Sequence, residues 1–162
     1  MKKLIMTMAL CFAFALSGSA QDVYKEILRL SRETAEDKSK DLQTRKVATF
    51  KVDALEYMLR ATSEMMPDSM MTDIINVQAY SLYDFVNTFM TVYNYKSTSA
   101  EKQEVISMFK DASLRYPRFN DADTDLTQIY INTSGYITRF SIDTDWALAL
   151  AYIKSTLKRT LK

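Results

Sequence analysis

Apolar residues recur along most of the chain at spacings of three and four, which is the period of an amphipathic helix. One such stretch covers about residues 22–38, and a second begins near Thr44 and ends around Met65, just ahead of Pro67. The 162 residues include only two glycines and two prolines, so the residues that make hairpin turns are almost missing. The pattern therefore predicts an all-α fold.

A third segment, over residues 69–95, is apolar nearly all round. Between Asp73 and Lys96 it carries a single charged residue, Asp84. Asparagines, serines and threonines interrupt the apolar residues too often for a membrane span. A helix that is hydrophobic on every side must be covered by other helices. We therefore expect a central, nearly fully buried helix at 69–95 and no membrane span in the mature chain.

Three further helices are predicted after this segment. Thr98 or Ser99 is a suitable N-cap for the fourth helix, which Pro117 ends. The fifth ends before Gly135, a glycine suited to a left-handed stop or a loop, and the sixth follows the polar residues 141–145. We expect about six helices packed in a single bundle or in a short stack of helical hairpins.

The first twenty residues have the layout of a secretory signal. Two lysines precede an apolar run over residues 4–16, and the small residues Gly18 and Ala20 occupy the −3 and −1 positions. Cys11 lies inside the apolar run, away from the cleavage point, so we do not expect a lipoprotein. The remaining residues, 21–162, should form one helical domain that is exported to the periplasm or the extracellular space.

Composition narrows the possible chemistry. The chain has no histidine, and its one cysteine lies in the predicted signal. This argues against Ser-His-Asp and Cys-His catalysis, zinc sites built from His and Cys, and disulfides in the mature chain. The 21 basic and 20 acidic residues are interspersed, without the basic patch that binds nucleic acid. We expect no cofactor and no nucleic-acid partner.

Four segments of the chain carry a family resemblance. They are residues 45–58, 78–86, 119–121 and 140–146. As a set they resemble a group of small exported proteins from Bacteroidetes that have no assigned function. The resemblance implies a location in the periplasm or outside the cell. It implies no reaction, cofactor or site residue.

Asp84 is the first candidate for a binding residue, because a lone carboxylate on a buried helix is costly unless it has a partner or a wet cavity. The structural interpretation is an ion pair with Arg45, Arg115 or Arg139. The functional interpretation is an acid or a ligand contact in a cleft. Both interpretations stay open from the sequence.

Aromatic residues and methionines are the next candidates. Tyr80 and Tyr83 head a run of aromatic residues at helical spacing, which fits either core packing or stacking against a sugar. Met65, Met66, Met70 and Met71 bracket Pro67. They fit gap-filling in the core or an adaptable partner groove.

Several carboxylates precede predicted helices. They are Asp121, Asp123, Asp125, Asp143 and Asp145. The first three have the alternate spacing of a calcium loop, but Leu126 stands where that loop needs glycine, and Asn132 stands where it needs a bidentate glutamate. We expect all five carboxylates to act as helix caps rather than as metal ligands.

These observations favour a non-enzymatic exported domain that binds an unknown protein in the cell envelope or outside the cell. The alternative is a carboxylate-based enzyme acting on glycans, or a glycan-binding protein. Such an enzyme needs two carboxyl groups facing each other across a cleft. Glu64 and Asp84 are the pair that this alternative would use.

Overall fold

The computed structural model describes residues 23–65 and 71–160, and within them it shows seven helices and no strand. The helices are α1 (Val23–Glu36), α2 (Leu42–Met65), α3 (Met71–Tyr95), α4 (Ser99–Arg115), α5 (Thr124–Thr127), α6 (Ile129–Asn132) and α7 (Trp146–Thr160). The all-α bundle is confirmed. None of the helices in the described ranges is both long and apolar enough to cross a membrane. The predicted signal lies outside the described residues.

Local hydrogen bonds explain where the helices begin. Thr98 and Glu101 form a capping box at the start of α4: the Glu101 amide donates to Thr98 Oγ1 at 3.2 Å, and the Thr98 amide donates to Glu101 Oε2 at 3.0 Å. The predicted Thr98 cap is thus confirmed. At the start of α2, Asp41 accepts the Thr44 amide at 2.9 Å.

The predicted fifth helix is wrong as a continuous element, because two single turns, α5 and α6, replace it. In a continuous helix the Thr127 carbonyl would accept the amide four residues on. Here it accepts the Ile142 amide at 3.1 Å and the Ser141 hydroxyl at 3.2 Å. A tertiary contact therefore interrupts the helix at Gln128. Gly135 follows in a loop with a φ of 89°, as predicted for a left-handed glycine.

The core is built around α3, which packs against α1, α2, α4 and α7. Six aromatic rings from four helices and from the segment between α6 and α7 meet there: Phe50, Phe85, Phe89, Phe109, Phe140 and Trp146. The Phe140 ring lies 5.0 Å from Phe89 and 5.4 Å from Phe50, in edge-to-face contacts between ring centroids. The segment before α7 thus supplies the centre of the core.

That segment also carries two bound carboxylates, and of these two Asp145 caps a helix as predicted, whereas Asp143 binds loop amides instead. Asp143, 4% exposed, accepts the backbone amides of Arg118, Phe119 and Asp121 at 3.0, 2.8 and 3.1 Å. Asp145 caps α7 by accepting the Leu148 amide at 3.1 Å. Gln78 of α3 donates to Asp145 Oδ1 at 3.0 Å and accepts the Trp146 amide at 2.7 Å. We call Gln78, Asp143 and Asp145 the buried polar network.

One face of α3 is not covered by the other helices that the structure describes. Val77 and Tyr80 are 57% and 58% exposed, whereas Leu82 and Phe85 are fully buried. The expectation that α3 is covered nearly all round is therefore corrected along this stripe. An exposed tyrosine and valine one turn apart give the central helix an accessible apolar surface.

Candidate functional site

The candidate site is a cleft of about 580 Å³ between α1, α2 and α3. Its lining comes from all three helices: Val23, Glu26, Ile27, Leu30, Ser31, Thr34, Lys51, Tyr80, Tyr83 and Asn87. We call it the tyrosine cleft. Its volume is within the range of pockets that hold small ligands or single side chains of a partner.

Two of the predicted binding residues meet in this cleft. Tyr80, Tyr83 and Asn87 are spaced three and four residues apart on α3, which places them along one side of the helix. Tyr83 is partly buried, and Tyr80 is more than half exposed. By contrast, Phe85 and Phe89 of the same aromatic run are fully buried. The run therefore divides between core packing and an accessible surface.

Lys51 of α2 gives the cleft its positive charge. It lies on the same side of α2 as the buried residues Val47, Ala54 and Leu55, so its stem is packed and its ammonium group faces the cleft wall. Burial lowers the pKa of Lys51 from its ordinary value of 10.5. The ammonium nitrogen lies 5.3 Å from the centroid of the Tyr83 ring, a cation–π contact.

The charge of Lys51 has no carboxylate partner among the residues that the structure describes. Glu26 is the one carboxylate among the described residues that line the cleft. Arg29 donates to both of its oxygens, at 2.6 and 2.9 Å. These hydrogen bonds lower the pKa of Glu26. No ion pair joins Lys51 to a carboxylate in the described part of the chain. An anionic group entering the cleft would supply the missing partner.

Asp84 lies outside this lining. Its Oδ2 atom accepts a hydrogen bond from Lys154 of α7 at 2.6 Å, and the two side chains are 32% and 53% exposed. The expected arginine partner is therefore wrong. Two of the candidate arginines donate to backbone carbonyls instead: Arg45 to Ala35 and Arg139 to Ile131. The third, Arg115, stacks on the Tyr152 ring. Asp84 lies towards the exposed stripe of α3 that carries Val77 and Tyr80, so an exposed lysine is enough to pair with its carboxylate.

The acidic residues before α5 are engaged in the loop. Asp123 accepts the Leu126 amide at 2.9 Å and so caps α5, as predicted. Asp121 accepts the Asp123 amide at 2.9 Å and the Tyr57 hydroxyl at 3.2 Å, and Asp125 is exposed. In the described ranges, no three acidic side chains converge to form a metal site. This geometry does not support calcium binding at these three residues.

Other predicted candidates do not join the cleft. Glu64 is exposed in the last turn of α2 and is absent from the cleft lining, so the tyrosine cleft holds neither member of the Glu64 and Asp84 pair. Met66 and Met70 lie outside the described residues. Met65 is 63% exposed. The predicted methionine groove therefore cannot be compared with the tyrosine cleft, because two of its four residues lie outside the described ranges.

Comparisons with protein families, with curated proteins and with solved structures find no match for this chain. The site is therefore interpreted from its own residues. Lys51 is the residue that the sequence interpretation missed. Its signal was present: a lysine between Val47 and Ala54 occupies a position where the helical period predicts an apolar residue.

Proposed function

We propose that this protein is a non-enzymatic binding domain that works in the periplasm or outside the cell, and that the tyrosine cleft is its recognition site. The observation that carries the proposal is the combination of Lys51, Tyr80 and Tyr83 around one open cleft. Exposed aromatic side chains on a rigid helix are typical anchors of protein interfaces. The signal-like N-terminus and the resemblance to exported Bacteroidetes proteins support the location.

The partner that this cleft suits is a protein segment with an apolar side chain and an acidic group. The apolar side chain would lie against Tyr80 and Val77, and the acidic group would pair with Lys51. A half-buried ammonium group without a carboxylate partner gains more from such a pair than an exposed lysine does.

The glycan-acting enzyme remains the alternative, and the geometry favours it less. Two-carboxylate hydrolysis needs a pair of carboxyl groups across a cleft. Among the described residues that line the tyrosine cleft, Glu26 is the one carboxylate, and Arg29 occupies both its oxygens. Glycan binding without hydrolysis would still use the tyrosines, and it predicts capture of saccharide rather than protein.

A capture experiment tests the proposal. The tagged protein, its Tyr80→Ala variant and its Tyr95→Ala variant are used as baits in a detergent-solubilised envelope extract and in culture medium. Tyr95 is 85% exposed on the same helix but outside the cleft, so it is a matched control. We expect one or a few proteins that wild type and Tyr95→Ala capture and Tyr80→Ala loses. Equal capture by all three baits would contradict the proposal.

A further inference from the structure

A second cleft, of about 520 Å³, lies where the end of α3, the middle of α4, the start of α2 and the loop after α6 meet. The residues that matter for its chemistry are Gln43, Tyr93, Ser107, Lys110, Tyr136 and Arg139. We call it the basic cleft. It shares no lining residue with the tyrosine cleft. The two sites can therefore be tested independently.

Charge distinguishes the basic cleft from the rest of a nearly neutral chain. Lys110 and Arg139 line it, and the described lining contains no carboxylate. Two more cations lie against its tyrosines: Lys46 Nζ is 5.1 Å from the Tyr136 ring centroid, and Lys102 Nζ is 5.1 Å from that of Tyr93. Four cations around one concave surface attract an anion and hold it in a partly desolvated place.

The Arg139 side chain is held in place, and the charges of Lys110 and Arg139 are available to an anion. Arg139 Nε donates to the Ile131 carbonyl at 2.8 Å, which fixes the guanidinium group. Within the described part of the chain, neither Lys110 nor Arg139 forms an ion pair. The Gln43 amide nitrogen is buried and finds no acceptor among the described residues. Because this nitrogen is shielded from solvent, a ligand in the cleft would reach it only after the Gln43 side chain turned outwards.

We infer that the basic cleft binds an acidic sugar, meaning a sugar that carries a carboxylate or a phosphate. The oxyanion would accept hydrogen bonds from Lys110 and Arg139, a charge-assisted pair of contacts. The exposed Ser107 hydroxyl would bind a sugar hydroxyl group, and the tyrosine rings would flank the sugar ring. A polar lining of amides and hydroxyls suits a polyhydroxylated ligand better than an apolar one.

Calorimetric titration of the purified protein tests the inference. The probes are glucuronate and glucose 6-phosphate, with glucose and inorganic phosphate as comparison ligands. We expect saturable binding of at least one acidic sugar, and the stronger of the two identifies carboxylate or phosphate as the preferred anion. Lys110→Gln should weaken that binding about tenfold, because one charge-assisted contact is lost. Raising the ionic strength should weaken it as well.

Lys158→Gln, which removes an exposed charge in the last turn of α7, is the matched control and should bind like wild type. Arg139→Gln provides a second variant, with circular dichroism to confirm its fold because Arg139 also anchors a loop. The inference is overturned if neither acidic sugar binds, or if glucose binds as tightly. It is also overturned if phosphate alone matches glucose 6-phosphate, or if Lys110→Gln and Lys158→Gln bind equally.

Discussion

Gln78 and Tyr80 are two residues apart on α3, and they belong to opposite kinds of surface. Gln78 is 4% exposed, and both ends of its amide are bound within the buried polar network. Tyr80 is 58% exposed and lines a cleft whose lysine has no described carboxylate partner. Polar groups that are fully bound inside the protein hold the fold together. Those left without partners at an open cleft are available to a ligand.

The largest effect is expected from a truncation in the aromatic core. Phe140→Ala should lower the free energy of unfolding by about 3–5 kcal/mol, because the ring is fully buried against four other phenylalanines. Tyr80→Ala should change it by less than about 0.5 kcal/mol, since that side chain is mostly exposed. Urea unfolding followed by circular dichroism measures both. Similar losses in the two variants would contradict the distinction between the core and the cleft.

The next effect concerns the buried carboxylate. Asp143→Ala should cost about 3 kcal/mol, because three backbone amides would lose their acceptor in a buried place. Asp125→Ala, at an exposed position nearby, is the control and should have little effect. Thermal unfolding of both variants provides the comparison. If Asp143→Ala melts like the control, the buried polar network does not stabilise the fold.

Alkaline pH should weaken the fold through two tyrosines on the core side of α2 and α6. Burial, together with nearby carboxylates, raises the pKa of Tyr57 and of Tyr130, whose hydroxyl donates to Asp53. In the unfolded chain these phenols ionise near their ordinary pKa of 10.0. The folded state therefore binds more protons above pH 10, and stability falls as the pH rises further.

Tyr130→Phe should make that alkaline loss shallower, at a cost of about 1 kcal/mol at neutral pH for the missing hydrogen bond. Urea titrations from pH 7 to about pH 11 measure the slope. A slope identical to that of wild type would mean that Tyr130 ionises alike in both states.

Lys51 should lower the stability of the fold, whereas the buried polar network raises it. Burial lowers the pKa of Lys51, so the unfolded chain binds more protons between that lowered pKa and the ordinary value of 10.5. The folded state loses stability across this window as the pH falls, and the loss persists at neutral pH. Lys51→Met should therefore keep or raise stability, by about 1 kcal/mol or less, while weakening partner capture. Lys25→Met, on the exposed side of α1, is the matched control for capture. A marked loss of stability in Lys51→Met would indicate a structural role.

A small effect on stability is expected at Asp84. Its pair with Lys154 is exposed, so Asp84→Asn should cost less than about 1 kcal/mol, and less still at high salt. Denaturant midpoints at two salt concentrations measure it. Capture of the partner should be unchanged, since Asp84 does not line the tyrosine cleft. Loss of capture would mean that Asp84 contributes to partner binding.

Sequence periodicity was sufficient for the long helices, the Thr98 cap and the central place of α3, because these depend on residues close together in the chain. It could not show that Ile142 would take the Thr127 carbonyl and split a helix, since that contact joins distant segments. It also paired Asp84 with an arginine. The choice of Lys154 depends on how α7 lies against α3, which no local pattern encodes.

The candidate site was predictable in part for the same reason. Tyr80 and Tyr83 stood out by their aromatic character, but their grouping with Lys51 depends on the packing of α1 and α2 against α3. From the sequence, core packing was the favoured interpretation of the aromatic run, and sugar stacking was the alternative. The neighbouring helices bury Phe85 and Phe89 in the core and leave Tyr80 at the surface, so the aromatic run serves both packing and an accessible surface.

Amine footprinting shows whether the tyrosine cleft is the recognition site. The protein is acetylated with an amine-reactive reagent alone and after exposure to its captured partner, and each lysine is quantified by peptide mass spectrometry. We expect the partner to protect Lys51, whereas Lys158 at the end of α7 should react equally in both samples. Unchanged labelling of Lys51 while the partner is bound would contradict the claim that the tyrosine cleft is the recognition site.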